Sequence, residues 1–160
     1  MIYNTKSTQE TIQLGRDLSK YLVSGDVILL DGDLGAGKTH FVKGLAEGLG
    51  ITADVNSPTF TILNNYPIVL KGPPGVSQLN HYDVYRVHDE YEILDLGFEE
   101  SIYGADISVI EWSRLIPGIL PDDCLKIEIL TGTELDEREI TMTWCGTHSE
   151  RSLPYVNSSR

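Results

Sequence analysis

The chain has 160 residues, enough for one domain with a buried core, and 41% hydrophobic and 22% charged residues are ordinary for a globular protein. No apolar run reaches the ~20 residues of a membrane span, and Met1-Ile2-Tyr3-Asn4-Thr5-Lys6 lacks a secretory layout, so a cytoplasmic protein with no membrane contact is expected. Twenty-four acidic against twelve basic residues give a formal charge of −12, which opposes tight unaided binding to RNA and assigns any such link to a partner.

In chain order, residues 2–5 read as a short strand. Ser7-Thr8-Gln9-Glu10 is a capping box, whose hydroxyl and carboxylate serve the first free backbone donors of a helix. Ile12, Leu14, Leu18, Tyr21 and Leu22 carry the helical spacing to a stop at Gly25. Residues 26–31 form a short apolar run suited to a buried parallel strand. The helix after it carries Phe41, Val42, Leu45, Ala46 and Leu49 on one face and closes at Gly50. Residues 59–69 and 78–86 predict a hairpin around the turn-rich Lys71-Gly72-Pro73-Pro74-Gly75. Short helices are expected over 89–96 and 98–103, a buried strand over 107–110, and a last pair of strands over 125–130 and 139–144. Cys124 and Cys145 have no partner at metal-ligand spacing and read as reduced thiols. The pattern predicts one α/β domain over residues 1–145, with a mixed central sheet, helices on both faces and a C-terminal antiparallel portion. Residues 146–160 are polar and are expected to fray.

Gly32-Asp33-Leu34-Gly35-Ala36-Gly37-Lys38-Thr39 matches the Walker A pattern in full, between a buried strand and an amphipathic helix. Glycine at 32, 35 and 37, with Ala36 between, lets backbone N–H groups turn toward phosphate oxygens where larger side chains would collide. Lys38 is expected to reach the β- and γ-phosphates of ATP, and the Thr39 hydroxyl to ligate Mg²⁺. The His40 N–H can serve the α-phosphate. A P-loop enzyme needs a further acid for Mg²⁺ and a group that orients the attacking water. Glu111 ends an apolar run at the carboxyl edge of a strand, where α/β ligands gather, and is the Mg²⁺ candidate. Alternation puts His81, Asp83 and Tyr85 on one strand face, either around a γ-phosphate or in solvent. Ser57-Pro58-Thr59-Phe60 is a turn whose hydroxyls fit a structural role or a γ-phosphate-sensing switch.

Five segments together resemble the bacterial TsaE (YjeE) family, the P-loop ATPase of tRNA N6-threonylcarbamoyladenosine (t6A) biosynthesis. They are the Walker A segment, Asn56-Ser57-Pro58-Thr59-Phe60-Thr61, His81-Tyr82-Asp83-Val84-Tyr85-Arg86, Leu96-Gly97-Phe98-Glu99-Glu100 and Ile110-Glu111-Trp112. The resemblance runs from about residue 7 to about residue 144. It implies work in the cytoplasm with TsaD and TsaB as partners, and a weak ATPase that those partners activate. By that likeness Lys38, Asp83 and Glu111 are the catalytic set, and Thr39 and Glu111 hold Mg²⁺. Ser57 and Thr59 would lie in a switch-like segment, Trp112 near the nucleotide, residues around Gln9 at the border of the adenine, and Arg138 at a further nucleotide contact. The chain departs from the family at His40, where many relatives have a second Thr, and in its longer, Pro-rich 71–77 loop. A small P-loop kinase is the enzymatic alternative, but the six Arg residues are dispersed and form no lid signature. No Asn-Lys-x-Asp motif supports a GTPase. A nucleotide-dependent binding module, with self-association open, is the alternative outside enzymes.

Overall fold

Val27, Ile28, Leu29 and Leu30 leave no polar side chain for either face of their strand, so it must be covered on both sides. This strand, β2 (Val27–Gly32), is the middle of a seven-stranded sheet. The computed structural model describes residues 1–155. Parallel to β2 run β4 (Gln78–Asp83), β5 (Ile107–Glu111) and β6 (Cys124–Thr131). Antiparallel pairs finish the edges, with β3 (Leu63–Pro67) on β4, and β7 (Arg138–Cys145) between β6 and β1 (Ile2–Thr5). The order is β1-β7-β6-β2-β5-β4-β3, the mixed α/β sheet expected.

Helices α1 (Thr8–Ser19) and α2 (Lys38–Leu49) cover one face, packing Leu18, Phe41, Val42 and Leu45 on Ile28, Leu30, Leu79, Val109 and Ile127. The short helices α3 (Glu90–Leu94) and α4 (Phe98–Ile102) cover the other, with Ile93, Phe98 and Ile102 on Val27, Leu29, Tyr82 and Ile110. Strand period two then has a consequence for the site. On the α2 face, Leu79 is followed by His81 and Asp83, and Ile107 and Val109 by Glu111. Apolar side chains fill the base of that face, and the charged ones emerge at the carboxyl ends beside the start of α2. None of the helices among the described residues is long and apolar enough to cross a membrane.

The cap read from Ser7 to Glu10 is present, and several other local details differ from the sequence reading, each for a visible reason. The Ser7 hydroxyl caps α1 by accepting the Glu10 N–H at 3.1 Å, while the Glu10 carboxylate takes the Lys6 N–H. Helix α1 ends at Ser19, ahead of Gly25, because the N–H groups of Lys20, Tyr21 and Leu22 bond three residues back and tighten the last turn. The 59–62 stretch is a turn, with Ile62 at φ +68° and its N–H on the Pro58 carbonyl at 2.7 Å. Strand β4 stops at Asp83, whose carboxylate takes the Tyr85 N–H at 2.9 Å in an Asx turn, so Tyr85 and Arg86 leave the strand.

The predicted fraying from Gly146 is corrected by three anchors. Arg151 grips Asp26 with two bonds of 2.6 and 2.8 Å and stacks 3.8 Å over the Trp144 ring. The Trp144 indole donates to the Ser152 carbonyl at 3.1 Å, and the Tyr3 hydroxyl to that of Pro154 at 2.8 Å. The ordered part therefore extends past residue 145, and the last five residues of the expected tail, 156–160, lie outside the described residues. Cys124 and Cys145, 21 positions apart in sequence, are register partners across β6 and β7, and both are free thiols.

Candidate functional site

The phosphate loop leaves β2 at Gly32, whose missing Cβ would meet the Ile129 carbonyl at 2.7 Å. It closes on the Ala36 N–H to Asp33 carbonyl bond of 3.0 Å, and enters α2 through Gly37 at φ +99°, a conformation that favours glycine. Beside it the register sets Leu30, Glu111 and Asp83 abreast at the carboxyl ends of three parallel strands. A cavity of about 290 Å³ opens there. Its wall brings together Gly35, Ala36, Gly37, Lys38, Thr39 and His40 from the loop, Ser57 and Thr59 from the turn, Asp83 and Glu111 from the sheet, and Trp112 and Arg138. Gly32 supports the loop from beneath without lining the cavity.

Lys38 is folded back onto its own loop. Its ammonium donates to the carbonyls of Gly32 and Asp33, and lies 4.0 Å over the Trp112 ring. Burial pushes its pKa down, and the negative charges of Glu111, Asp83 and Asp31 oppose that shift. Glu111, 2% exposed, accepts the His81 Nε2 hydrogen at 2.5 Å through Oε2. Asp83, 3% exposed, takes both the Ser57 and Thr59 hydroxyls on Oδ2 at 3.3 Å, and the two hydroxyls are 2.9 Å apart. The 59–62 turn that interrupts the expected strand is what carries these hydroxyls to Asp83.

Trp112 follows Glu111 at φ +61°, a costly conformation for a bulky residue and one that clusters at functional sites. It turns the indole between Lys38 and Tyr85, whose ring centroid is 4.7 Å away. Asp31 holds the segment in place by accepting the Ser113 hydroxyl at 2.6 Å and the Arg114 N–H at 3.3 Å. Arg138 enters the cavity wall from the start of β7. Its guanidinium donates to the loop carbonyls of Ala36 at 2.7 Å and Gly35 at 3.2 Å, so it braces the loop.

Around Gln9 the fold divides neighbouring residues between two cavities. Gln9 lines a different surface cavity with Arg16, Lys43 and Glu47, and its neighbour Thr8 lines the loop cavity instead. One helical residue is a turn of about 100°, enough to exchange the two. Sequence reasoning missed Asp31, Asp136, which also lines the loop cavity, and the bond between His81 and Glu111; only the strand-face alternation of His81 and Asp83 pointed to the last. The oxygens of Thr39, Asp83 and Glu111 are hard donors suited to Mg²⁺. No three His, Cys, Asp or Glu side chains form a cage among the described residues, and Mg²⁺ at phosphates does not need one.

Comparison with known proteins bears on the family and the fold. The family model described as threonylcarbamoyl adenosine biosynthesis protein TsaE matches residues 5–140. The Bacillus subtilis tRNA threonylcarbamoyladenosine biosynthesis protein TsaE is 46% identical over 148 residues, covering 92% of this chain and 88% of that protein. The protein of the same name from Treponema pallidum is 39% identical over 138 residues, covering 86% and 96%. The crystal structure of Bacillus subtilis YdiB superposes with a TM-score of 0.77 at 40% identity, over 94% of this chain and 88% of that one. On the family match and these relatives, the chain belongs to the TsaE family.

Proposed function

We propose that this chain is the Mg²⁺-dependent ATP-binding and ATP-hydrolysing subunit of tRNA t6A biosynthesis, working in the cytoplasm with TsaD-type and TsaB-type proteins. The observation that carries the reading is the convergence of Lys38, Thr39, Asp83 and Glu111 on one phosphate-loop cavity in a chain of this family. Bound Mg²⁺ would supply positive charge against the negative charge that develops during phosphoryl transfer. Thr39 and Glu111 are the residues to hold it. Lys38 must leave the Gly32 and Asp33 carbonyls to meet phosphate oxygens, exchanging two neutral acceptors for charged ones. Arg138 engages the Gly35 and Ala36 carbonyls and so steadies the loop whose remaining free N–H groups would meet the anion.

Asp83 is the group to orient the attacking water. The Ser57 and Thr59 hydroxyls that it holds link that step to a turn able to report whether a γ-phosphate is present. The charge of −12 argues that tRNA is gripped by the partners. The test is ATP turnover and tRNA retention for the chain alone, then with both partners added. Turnover that rises with the partners, and tRNA held only in their presence, supports the reading. Full turnover or tight tRNA binding by the lone chain overturns it.

A further inference from the structure

We propose that His81 is a positioning residue for Glu111, fixing which carboxylate oxygen faces the metal; this rests on the reading of Glu111 as a metal-holding group. His81 is fully buried in β4, and its Nε2 lies 2.5 Å from Glu111 Oε2. A carboxylate only accepts, so Nε2 donates the hydrogen and Nδ1 is the nitrogen left without a partner. Among the described residues Nδ1 is the one fully buried side-chain polar atom without a hydrogen-bond partner. The Tyr66 ring centroid lies 6.2 Å from that of His81 and supplies no acceptor or donor to this nitrogen.

A histidine that leaves one nitrogen unpaired in a core carries a penalty that Leu or Phe would not. Packing alone therefore does not account for it; its single bond does. That bond runs along the sheet diagonal. His81 is the register partner of Val109, two residues before Glu111, and Asp83 is the partner of Glu111 itself. One face of β4 thus presents both the water-orienting candidate and the clamp on the metal-holding one. With Oε2 taken, Glu111 cannot swing among its rotamers, and Oε1 is the oxygen left for the metal or its water. Hydrogen-bonded partners of this kind act on metal affinity by holding ligands in place.

The test measures the Mg²⁺ concentration for half-maximal binding of a non-hydrolysable ATP analogue, by calorimetry. The proteins are the wild type, His81→Gln, His81→Asn and Glu111→Gln. The Gln amide can place an N–H where Nε2 stands, whereas the shorter Asn places its amide near Nδ1 and cannot reach Glu111. His81→Asn should raise the Mg²⁺ requirement about 10-fold or more, as expected for loss of such a partner, and His81→Gln should restore most of it. A purely structural role would lower the melting temperature of both variants alike and leave the Mg²⁺ requirement unmoved. If Glu111→Gln raises the requirement but Asn and Gln at 81 behave alike, the positioning role is wrong and the metal reading stands. If Glu111→Gln leaves the requirement unchanged, the metal reading fails and the proposal falls with it.

Discussion

Asp83 divides its two oxygens between two tasks. Oδ1 closes the turn that ends β4, and Oδ2 gathers two hydroxyls from the turn after α2. Glu111, one strand away, has His81 as its single side-chain hydrogen-bond partner among the described residues. The difference separates their roles. Asp83→Asn should leave Mg²⁺-dependent nucleotide binding within a few-fold and cut partner-stimulated turnover about 100-fold or more, in the range of lost acid–base assistance. Glu111→Gln should instead raise the Mg²⁺ requirement. Calorimetry and steady-state turnover on both variants check this, and the opposite pattern would exchange the two assignments. The cysteines differ as well. Burial pushes the Cys124 thiol up to about 11, so almost none of it is thiolate at neutral pH, and Cys145 is partly exposed. Iodoacetamide at pH 8 should alkylate Cys145 and spare Cys124 in the native protein, read by peptide mass spectrometry.

At the scale of elements, the phosphate loop depends on how closely α1 and α2 pack. A Cβ at Gly44 would fall on the Ile12 carbonyl, and one at Gly15 on that of Phe41, so the helices touch backbone to backbone. Gly44→Ala gains helix propensity but forces the pair apart. Overpacking of this kind costs about 1–3 kcal/mol, and a backbone obstacle puts this case at the upper end. Urea unfolding should show the loss, and an unchanged midpoint would mean that the helices sit less closely.

The same scale shows what could be read from sequence. Residues 27–49 were legible because each local signal agrees: an apolar run, a glycine-patterned turn, a helical face and a terminal glycine. The hairpin was legible only in outline. Ile62 at positive φ and the Asx turn at Asp83 override a β-prone composition, and neither leaves a mark in the residue pattern. Glu111 could be placed at a strand end, but its bond to His81 needed the register of β4 on β5. Arg138 was placed near the nucleotide, whereas its bonds go to loop carbonyls across 102 and 103 residues of sequence, beyond the reach of local pattern.

For the whole molecule, the C-terminal segment ties the first strands to the last. Asp26, at the entrance to β2, is 4% exposed and answers to Arg151 and to the Val23 N–H at 2.8 Å. Arg151→Ala removes the larger of these supports. With one hydrogen bond remaining to the carboxylate, the expected loss is about 1–3 kcal/mol, measured as a lower urea midpoint; no change would make the segment an ornament. The acidic surface sets the other whole-molecule property, since on the proposed function the site would have to draw a polyanion such as ATP into a chain of charge −12. It would do so locally, with loop N–H groups, the α2 N-terminus and Lys38.

Everything proposed here depends on that cavity holding Mg²⁺-ATP. Calorimetric titration of a non-hydrolysable ATP analogue, with Mg²⁺, into the wild type and Lys38→Ala tests it most directly. The account predicts saturable one-site binding to the wild type and an affinity at least about tenfold lower for Lys38→Ala, since a charge-assisted contact is lost without replacement. Equal affinity for the two proteins, or no binding to the wild type, would contradict it.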